Sequence, residues 1–453
     1  MQSQKFFMAT ICAISTAYGA GGIAVIRVSG EQAISIVDSL FAGRVRLCDA
    51  AANTIHFGRI QRGKEILDEV LCSVFHAPHS FTGEDTVEIA CHGSLYIQQE
   101  LLRWLIDAGC KAAEPGEFTR RAFMNGKMDL TQAEAVADLI AAQSKAEKDL
   151  ALSQLRGSVS NELASLRERL LHFTSLIELE LDFADHEELE FADRSELMQL
   201  ADEIGKKLEA LLASFRTGNA IRNGIPVAII GAPNVGKSTL LNALLGEQRA
   251  IVSDIQGTTR DTIEDTLVLD GILFRLIDTA GLRETSDTLE NMGIERSRKA
   301  AEQAQIIIHV NEPNHSISPS GKELDGITGT IIEVLNKCDL IDGVSLQGET
   351  HGSRLSISAK NGDIEPLKRE LVRIAKESMQ TSAVMLSNAR HYEAITRAHE
   401  AILRVQDGLK QGLSGELLSM DLQDCLSALG EVTGQITNAE VLSNIFSKFC
   451  IGK

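Results

Sequence analysis

Between Val227 and Leu245 an apolar run, a glycine loop and a helical pattern follow one another without a gap, an order that leaves the chain few ways to fold locally. Val227-Ala-Ile-Ile230 reads as a buried strand, and Thr239-Leu-Leu-Asn-Ala-Leu-Leu245 has the spacing of a helix. Between them stands Gly231-Ala-Pro-Asn-Val-Gly-Lys-Ser238. Backbone N–H groups of such a loop, and of the helix it opens, converge on one concavity and make an anion cradle. Taken alone the pattern is only moderately specific, because short glycine motifs recur by chance and ATPases share this one.

Four more segments follow in a fixed order: Gly257-Thr-Thr-Arg-Asp261, Asp278-Thr-Ala-Gly281, Asn336-Lys-Cys-Asp339 and Ser358-Ala-Lys360. Each could be turn chemistry, rich in Asn, Asp and Ser for ordinary reasons. All five in sequence describe a guanine-nucleotide pocket. Lys237 is expected to reach the β and γ oxygens of GTP, and the Ser238 hydroxyl to ligate Mg²⁺, with Thr259 supplying a second hydroxyl. Asp278 closes the apolar strand Leu273–Ile277, the place of a carboxylate acting on the Mg²⁺ shell. Asp339 can accept from both N1–H and the 2-amino group of guanine, a pair that adenine does not present. Asn336 and the backbone at Ala359 complete the base pocket. Val235, Gly236, Thr239, Ser253, Asp254, Ile255, Gln256, Gly257, Thr258, Thr279, Ala280, Gly281, Lys337, Ser358 and Lys360 are the remaining expected nucleotide contacts.

A domain of this kind takes about 160 residues, here 219–380, and the 453-residue chain has room for about three domains. The flanks therefore carry the specific function. A net charge of −19 repels nucleic acid and anionic lipid overall, so an RNA partner needs a local basic patch or a second protein. The acidic run Asp182–Asp193 reads as a solvated helix end or loop rather than a metal site. Eight cysteines without a Cys-x-x-Cys pair argue against zinc or a disulfide framework and for a reduced, cytoplasmic protein. The apolar start is read as a strand Phe7–Ile14, a glycine turn and a strand Ile23–Val28 rather than a signal peptide, and no stretch is long enough to span a membrane.

From Gln132 to about Thr217 the pattern is helical, as in Ala133–Ile140 and Glu162–Leu171, and it returns in Tyr392–Leu403 and Leu417–Leu429. Neither half can bury its apolar stripe alone, so the two are expected to pack as one helical domain interrupted by the nucleotide-binding domain. The expected layout is multidomain: an α+β N-terminal domain over 1–124, helical 125–218, an inserted α/β P-loop domain over 219–380, and helical 381–453.

Three further signatures lie in the flanks: Ser80-Phe-Thr-Gly-Glu-Asp-Thr-Val-Glu88 with Cys91-His-Gly93, the stretch Glu114-Pro-Gly-Glu-Phe-Thr-Arg-Arg-Ala-Phe-Met-Asn-Gly-Lys-Met-Asp-Leu-Thr-Gln-Ala-Glu-Ala-Val136, and the terminal Phe449-Cys-Ile-Gly-Lys453. With these the whole chain resembles the bacterial tRNA-modification GTPase family MnmE (TrmE). The resemblance implies a folate-binding, dimerising N-terminal domain and a homodimer. It also implies a flavin-carrying partner, GidA (MnmG), and an aminomethyl or carboxymethylaminomethyl group installed at C5 of the wobble uridine of certain tRNAs. It implies that a one-carbon tetrahydrofolate (5-formyl or 5,10-methylene) binds through Arg27, Glu88, Lys127 and Lys453. These charges suit it: cations can pair with the carboxylates of a folate tail, and a glutamate can accept from pterin N–H groups. The chain departs from the family at Thr16-Ala-Tyr-Gly-Ala-Gly-Gly22, where two prolines and an arginine are absent, so contacts of that arginine do not carry over.

The residue after Asp278-Thr-Ala-Gly281 is Leu282, where Ras-like enzymes place a water-orienting glutamine. The resemblance implies two replacements. One is K⁺ held by Asn234 with carbonyls of Ser253 and Ile255 and the Thr258 region, although Asn234 also reads as a loop-shaping residue. The other is Glu290, acting on water, with Arg283 ordering the same segment. Cys450 in the tail is expected to serve tRNA modification and not GTP hydrolysis. A ribosome-assembly or RNA-chaperone GTPase would show the same nucleotide motifs but would have no use for the flanking signatures.

Overall fold

The computed structural model describes residues 9–182, 194–246, 265–277, 298–313, 327–340, 354–379, 384–436, 439–447, 449 and 452. It divides into two compact units, one made of Met1–Ala137 with Gly430–Lys453 and the other of Asp138–Leu429.

Strand period and register explain the first unit. Its strands are β1 (Ile11–Ile14), β2 (Ile23–Ser29), β3 (Phe41–Gly43), β4 (Thr54–Arg62), β5 (Glu65–Phe75), β6 (Thr86–His92) and β7 (Lys111–Ala112), in sheet order β3-β4-β5-β6-β2-β1-β7. Alternate residues of β2 point opposite ways, so Ala24, Ile26 and Val28 enter a core with helices α1 (Ala33–Leu40) and α2 (Leu95–Asp107). The opposite face carries Arg27, directly across from Ala13 on β1 and Glu88 on β6. One end of that face is covered by Phe118 of α3 (Glu117–Met124) and by Phe81, which cluster with Ile11 and Ala13. The other end leaves Ile55, Phe57 and Leu71 of β4 and β5 exposed.

The last segment joins this unit. The helix over Ala439–Ser447 buries Phe446 against Leu130 and Ala133, with Phe123, Leu442, Ile445 and Phe449 packed around them. Gly452, at φ +94°, lies so near β1 that a Cβ there would meet Ile14 O at 2.2 Å. The Ser15 hydroxyl donates to Gly452 O at 3.1 Å. Residues after Gly430 fall in this first unit, where their apolar stripe finds its partners on residues 123–133.

Helix α4 (Leu130–Ala141) runs past the boundary at Ala137; in the second unit α5 (Lys145–Leu155), α6 (Ser158–Asp182) and α7 (Arg194–Asn223) lead into the strands β8 (Ile225–Ile230), β9 (Asp265–Leu269), β10 (Ile272–Leu276), β11 (Ile306–Asn311), β12 (Thr330–Leu335) and β13 (Arg354–Ser356). Their order is β13-β12-β11-β8-β10-β9, parallel except for the β9–β10 hairpin. That hairpin turns on Asp270 and Gly271, both at positive φ, as a two-residue turn with the right twist requires. Helices α8 (Lys237–Gly246) and α9 (Glu365–Met379) bury Leu240, Leu241, Leu244, Leu367 and Leu371 on the sheet.

The helical halves before and after this sheet do pack together. On α10 (Ala389–Gln411) the Gln406 amide donates to Ala201 O of α7, and Tyr392 stacks on Phe215 with ring centroids 4.4 Å apart. A Cβ at Gly218 would strike Leu386 O at 2.2 Å, so glycine there permits the close approach. Of the acidic run, Asp182 ends α6 and the rest lies outside the described residues. Among the described residues there is no cluster of three His, Cys, Asp or Glu that could hold a metal, and no helix is long and apolar enough to cross a membrane.

Candidate functional site

The glycine loop begins where β8 ends. Gly231 adopts φ +147° against β11, where a Cβ would meet Val310 O at 2.3 Å. Gly236 adopts φ +95°, and a Cβ there would come within 2.3 Å of the Asn336 amide nitrogen. A larger residue at either place would strike these neighbours and displace the loop. Asn234 also has positive φ, +63°, which fits its loop-shaping reading.

Lys237 opens α8 and curls back, its ammonium donating to Gly231 O and Ala232 O at 2.8 Å each. Burial pushes its pKa below the ordinary lysine value. Ser238 and Thr239 follow in the first turn of α8, so the loop and helix N-terminus present N–H groups and a hydroxyl on the side where the lysine sits. That set fits triphosphate oxygens and a Mg²⁺ ligand.

Asn336 is buried at the end of β12 and ties the loops together. Its amide donates to Val235 O at 2.9 Å and its oxygen accepts from Ala359 N at 3.0 Å. It therefore links the phosphate loop to the Ser358-Ala-Lys360 loop. Lys337, at φ +61°, donates to Asn234 O at 2.7 Å and pairs with Glu312. Asp339 stands in the turn Cys338–Leu340 and accepts from the Ser358 hydroxyl at 2.6 Å. That bond is the main reason its carboxyl is held below the usual range, with Lys360 and Lys337 helping, so it offers a charged double acceptor.

The structure thus brings together Asn234, Val235, Gly236, Lys237, Ser238, Thr239, Asn336, Lys337, Asp339, Ser358, Ala359 and Lys360. Ser253, Asp254, Ile255, Gln256, Gly257, Thr258, Thr259, Asp278, Thr279, Ala280, Gly281, Leu282, Arg283, Glu290, Cys450 and Lys453 lie outside the described residues. Sequence reasoning missed Glu312, the counter-ion of Lys337. Nothing in its local pattern marks it.

In the first unit Arg27 and Glu88 are paired with each other. The guanidinium donates to Glu88 Oε1 through Nε at 2.9 Å and approaches it through NH2 at 2.8 Å. It also lies 5.4 Å from the Phe81 ring and 5.6 Å from the Phe118 ring, a cation–π arrangement. Lys127 donates to Pro78 O. Behind these residues runs a network that the sequence did not reveal. Buried Arg121 binds Glu117, Glu84 and Ala9 O, Glu84 accepts from Ser29, and Asn125 donates to Thr82 O. It joins the Ser80–Glu88 and Glu114–Val136 signatures in space. Cys91 is buried and its thiol is pushed up to about 11, first by desolvation and then by Asp68, so it is inert.

A central parallel sheet, a glycine loop opening a helix and a charged acceptor braced beside an asparagine strut define a P-loop GTPase domain, here set within a helical region. The profile described as MnmE helical domain matches residues 130–450, and that described as GTP-binding protein TrmE N-terminus matches 10–127. A protein named tRNA modification GTPase MnmE from Parabacteroides distasonis is 55% identical, over 98% of this chain and 100% of its own. One of the same name from Bacteroides fragilis is 52% identical, over 98% and 99%. The chain belongs to the MnmE family of tRNA modification GTPases. A solved GTP-binding protein from Sulfolobus solfataricus in complex with GDP aligns at 18% identity and a TM-score of 0.26, over 47% of this chain and 67% of that one, a likeness too slight to argue from.

Proposed function

We propose that the chain hydrolyses GTP and, with a flavin-carrying partner (GidA, also called MnmG), modifies C5 of the wobble uridine of certain tRNAs in the cytoplasm. The observation that carries the GTP half is the strut at Asn336, which braces the phosphate loop and the base-reading loop as one pocket. The tRNA half rests on relatives at 55% and 52% identity whose names state that activity.

In this reading Lys237 exchanges its two carbonyl acceptors for phosphate oxygens, and Asp339 reads guanine. Ser238 and Thr259 would hold Mg²⁺, which offsets charge on the phosphates. Asn234, with Ser253, Ile255 and the Thr258 region, would hold K⁺ where other GTPases place an arginine worth about 10³–10⁵ in rate. Leu282 cannot orient water, so Glu290 takes that part, with Arg283 ordering its segment. The cycle moves domains rather than doing chemistry on tRNA.

Arg27, Glu88, Lys127 and Lys453 would bind a reduced folate, which supplies a one-carbon unit when bound. The docking of Gly452 beside Ser15 supports a tail near that face, with Cys450 serving modification alone. A homodimer would cover the exposed Ile55, Phe57 and Leu71, since an apolar strip on a sheet face is a feature of interfaces.

The deciding experiment is nucleoside analysis of tRNA from cells lacking the chain. Unmodified wobble uridine that returns on complementation supports the proposal, whereas normal tRNA with abnormal ribosomes overturns it. Turnover in KCl against NaCl, for wild type, Asn234→Ala and Glu290→Ala, tests the two hydrolytic roles. Equal rates in both salts remove the cation, and normal turnover of Glu290→Ala removes the glutamate.

A further inference from the structure

The open face of the N-terminal sheet holds a second polar arrangement beyond Arg27 and Glu88. His92, the last residue of β6, is 70% exposed at its side chain, yet its ring is held by a carboxylate only 8% exposed. Asp68 Oδ1 accepts from Nδ1 at 2.7 Å, and Oδ2 accepts from the His92 backbone N–H at 2.7 Å. Asp68 pairs with Ile60 of β4, beside the point where the β4–β5 register shifts.

An ionised carboxylate only accepts, so Nδ1 carries the hydrogen and the neutral ring presents the Nε2 lone pair outward. A buried carboxylate orienting an exposed imidazole is the arrangement that general bases use, because it fixes the tautomer and stabilises the imidazolium. Glu88 and His92 are four residues apart on β6, about 13 Å along one face. A molecule held at Arg27 and Glu88 and extending over Val25 and Ala90 reaches the ring. The loop 19–22 closes the far side. Gly21 and Gly93 hydrogen-bond there, and a Cβ at Gly93 would meet Gly21 O at 2.4 Å.

We propose that the His92–Asp68 dyad is the proton acceptor that frees the incoming nitrogen of the modification, an inference that rests on the one-carbon reading above. The group to be installed contains an amine nitrogen, and an ammonium ion has no lone pair with which to attack. Neutral Nε2 takes one proton from the ammonium, yielding free amine and an imidazolium whose charge Asp68 offsets. The imidazolium then returns that proton to water. The groups facing the ring are Asp68 on β5, apolar Ile23 opposite on β2, and Gln98 of α2 behind Gly93, with the Arg59–Glu69 pair one residue further along β5.

The test uses the full chain with its flavin partner, tRNA, a reduced folate and ammonium chloride as nitrogen source. His92→Gln should lower formation of the modified nucleoside about 100-fold or more, while reduced-folate affinity and GTP turnover stay within about twofold. The deficit should shrink as pH rises toward the range where the amine deprotonates unaided. Asp68→Asn should cost about tenfold or more through the lost orientation. Wild-type modification by His92→Gln overturns the proposal, as does a deficit that pH does not change or one matched by lost folate affinity. Failure of the wild-type chain to bind reduced folate overturns the one-carbon reading instead.

Discussion

Lys237 in one unit and Arg27 in the other hold corresponding positions: each is a cation at a surface where an anionic ligand is proposed, and each is already partnered. Lys237 rests on two neutral backbone carbonyls at 2.8 Å. Arg27 is in a charge-assisted pair with Glu88, enclosed by two aromatic rings. Exchanging a carbonyl dipole for a phosphate oxygen gains Coulomb energy at little loss. Opening a partly desolvated ion pair leaves two charges to satisfy, so only a ligand offering both an anion and N–H donors can take its place. On the proposed reading the nucleotide pocket is open to phosphate, whereas the sheet face would select for mixed chemistry.

The strongest way to break this contrast is Lys237→Ala. Losing charge-assisted bonds of about 1.5–3 kcal/mol each should weaken GTP binding about 100-fold or more. Reduced-folate binding should not change. Nucleotide and folate titrations of the same variant check both, and a parallel fall in folate affinity would show that the two surfaces are not independent.

Asn336→Ala comes next. It leaves Val235 O and Ala359 N without their partner in a buried place, at about 1–3 kcal/mol for each group. GTP affinity should drop about tenfold or more, and chemical denaturation should show a lowered midpoint. Unchanged values would mean that the loops are held by other contacts, Lys337 with Glu312 foremost.

On the other side of the contrast, Arg27→Lys replaces a planar fork with a point charge and should weaken reduced-folate binding about tenfold. The double variant Arg27→Glu with Glu88→Arg keeps the pair but reverses it. Calorimetry should find binding still lost, because the ligand meets each group separately. Recovery in the double variant would reduce the pair to a structural strut.

The smallest effect concerns Ser358→Ala. The pKa of Asp339 is lowered in the folded protein, so its charge is complete above the ordinary carboxylate value and is lost only as pH falls through the lowered one. Guanine-nucleotide affinity should therefore hold down to about pH 4 in wild type. Without the hydroxyl the main cause of the lowering is gone, and the acid loss should begin at higher pH. Titrations with a fluorescent guanine nucleotide between neutral and acid pH decide it; coincident curves would exclude Ser358 from that part.

The chain's pattern was most legible where structure is local. The expected strand at Val227–Ile230 is part of Ile225–Ile230, and the expected helix at Thr239–Leu245 lies inside Lys237–Gly246. Ala133–Ile140, Glu162–Leu171, Tyr392–Leu403 and Leu417–Leu429 all fall within observed helices. Glycines 231 and 236 were marked by the loop pattern, and the reason for each is a backbone or amide that a Cβ would strike.

By itself the sequence determined the strand–loop–helix cradle, the order of the loop motifs and the helical periods, because the hydrogen bonds and sterics that impose them act within a few turns of chain. Only the tertiary structure decided which charges meet. Arg27 and Glu88 are sixty-one residues apart and touch because β2 pairs with β6, Asp68 reaches His92 because β5 pairs with β6, and Phe446 finds Leu130 and Ala133 across some three hundred residues. Such meetings depend on tertiary packing, which no local spacing encodes; on the strands, a register shift of one residue would turn Arg27 and Glu88 to the opposite face.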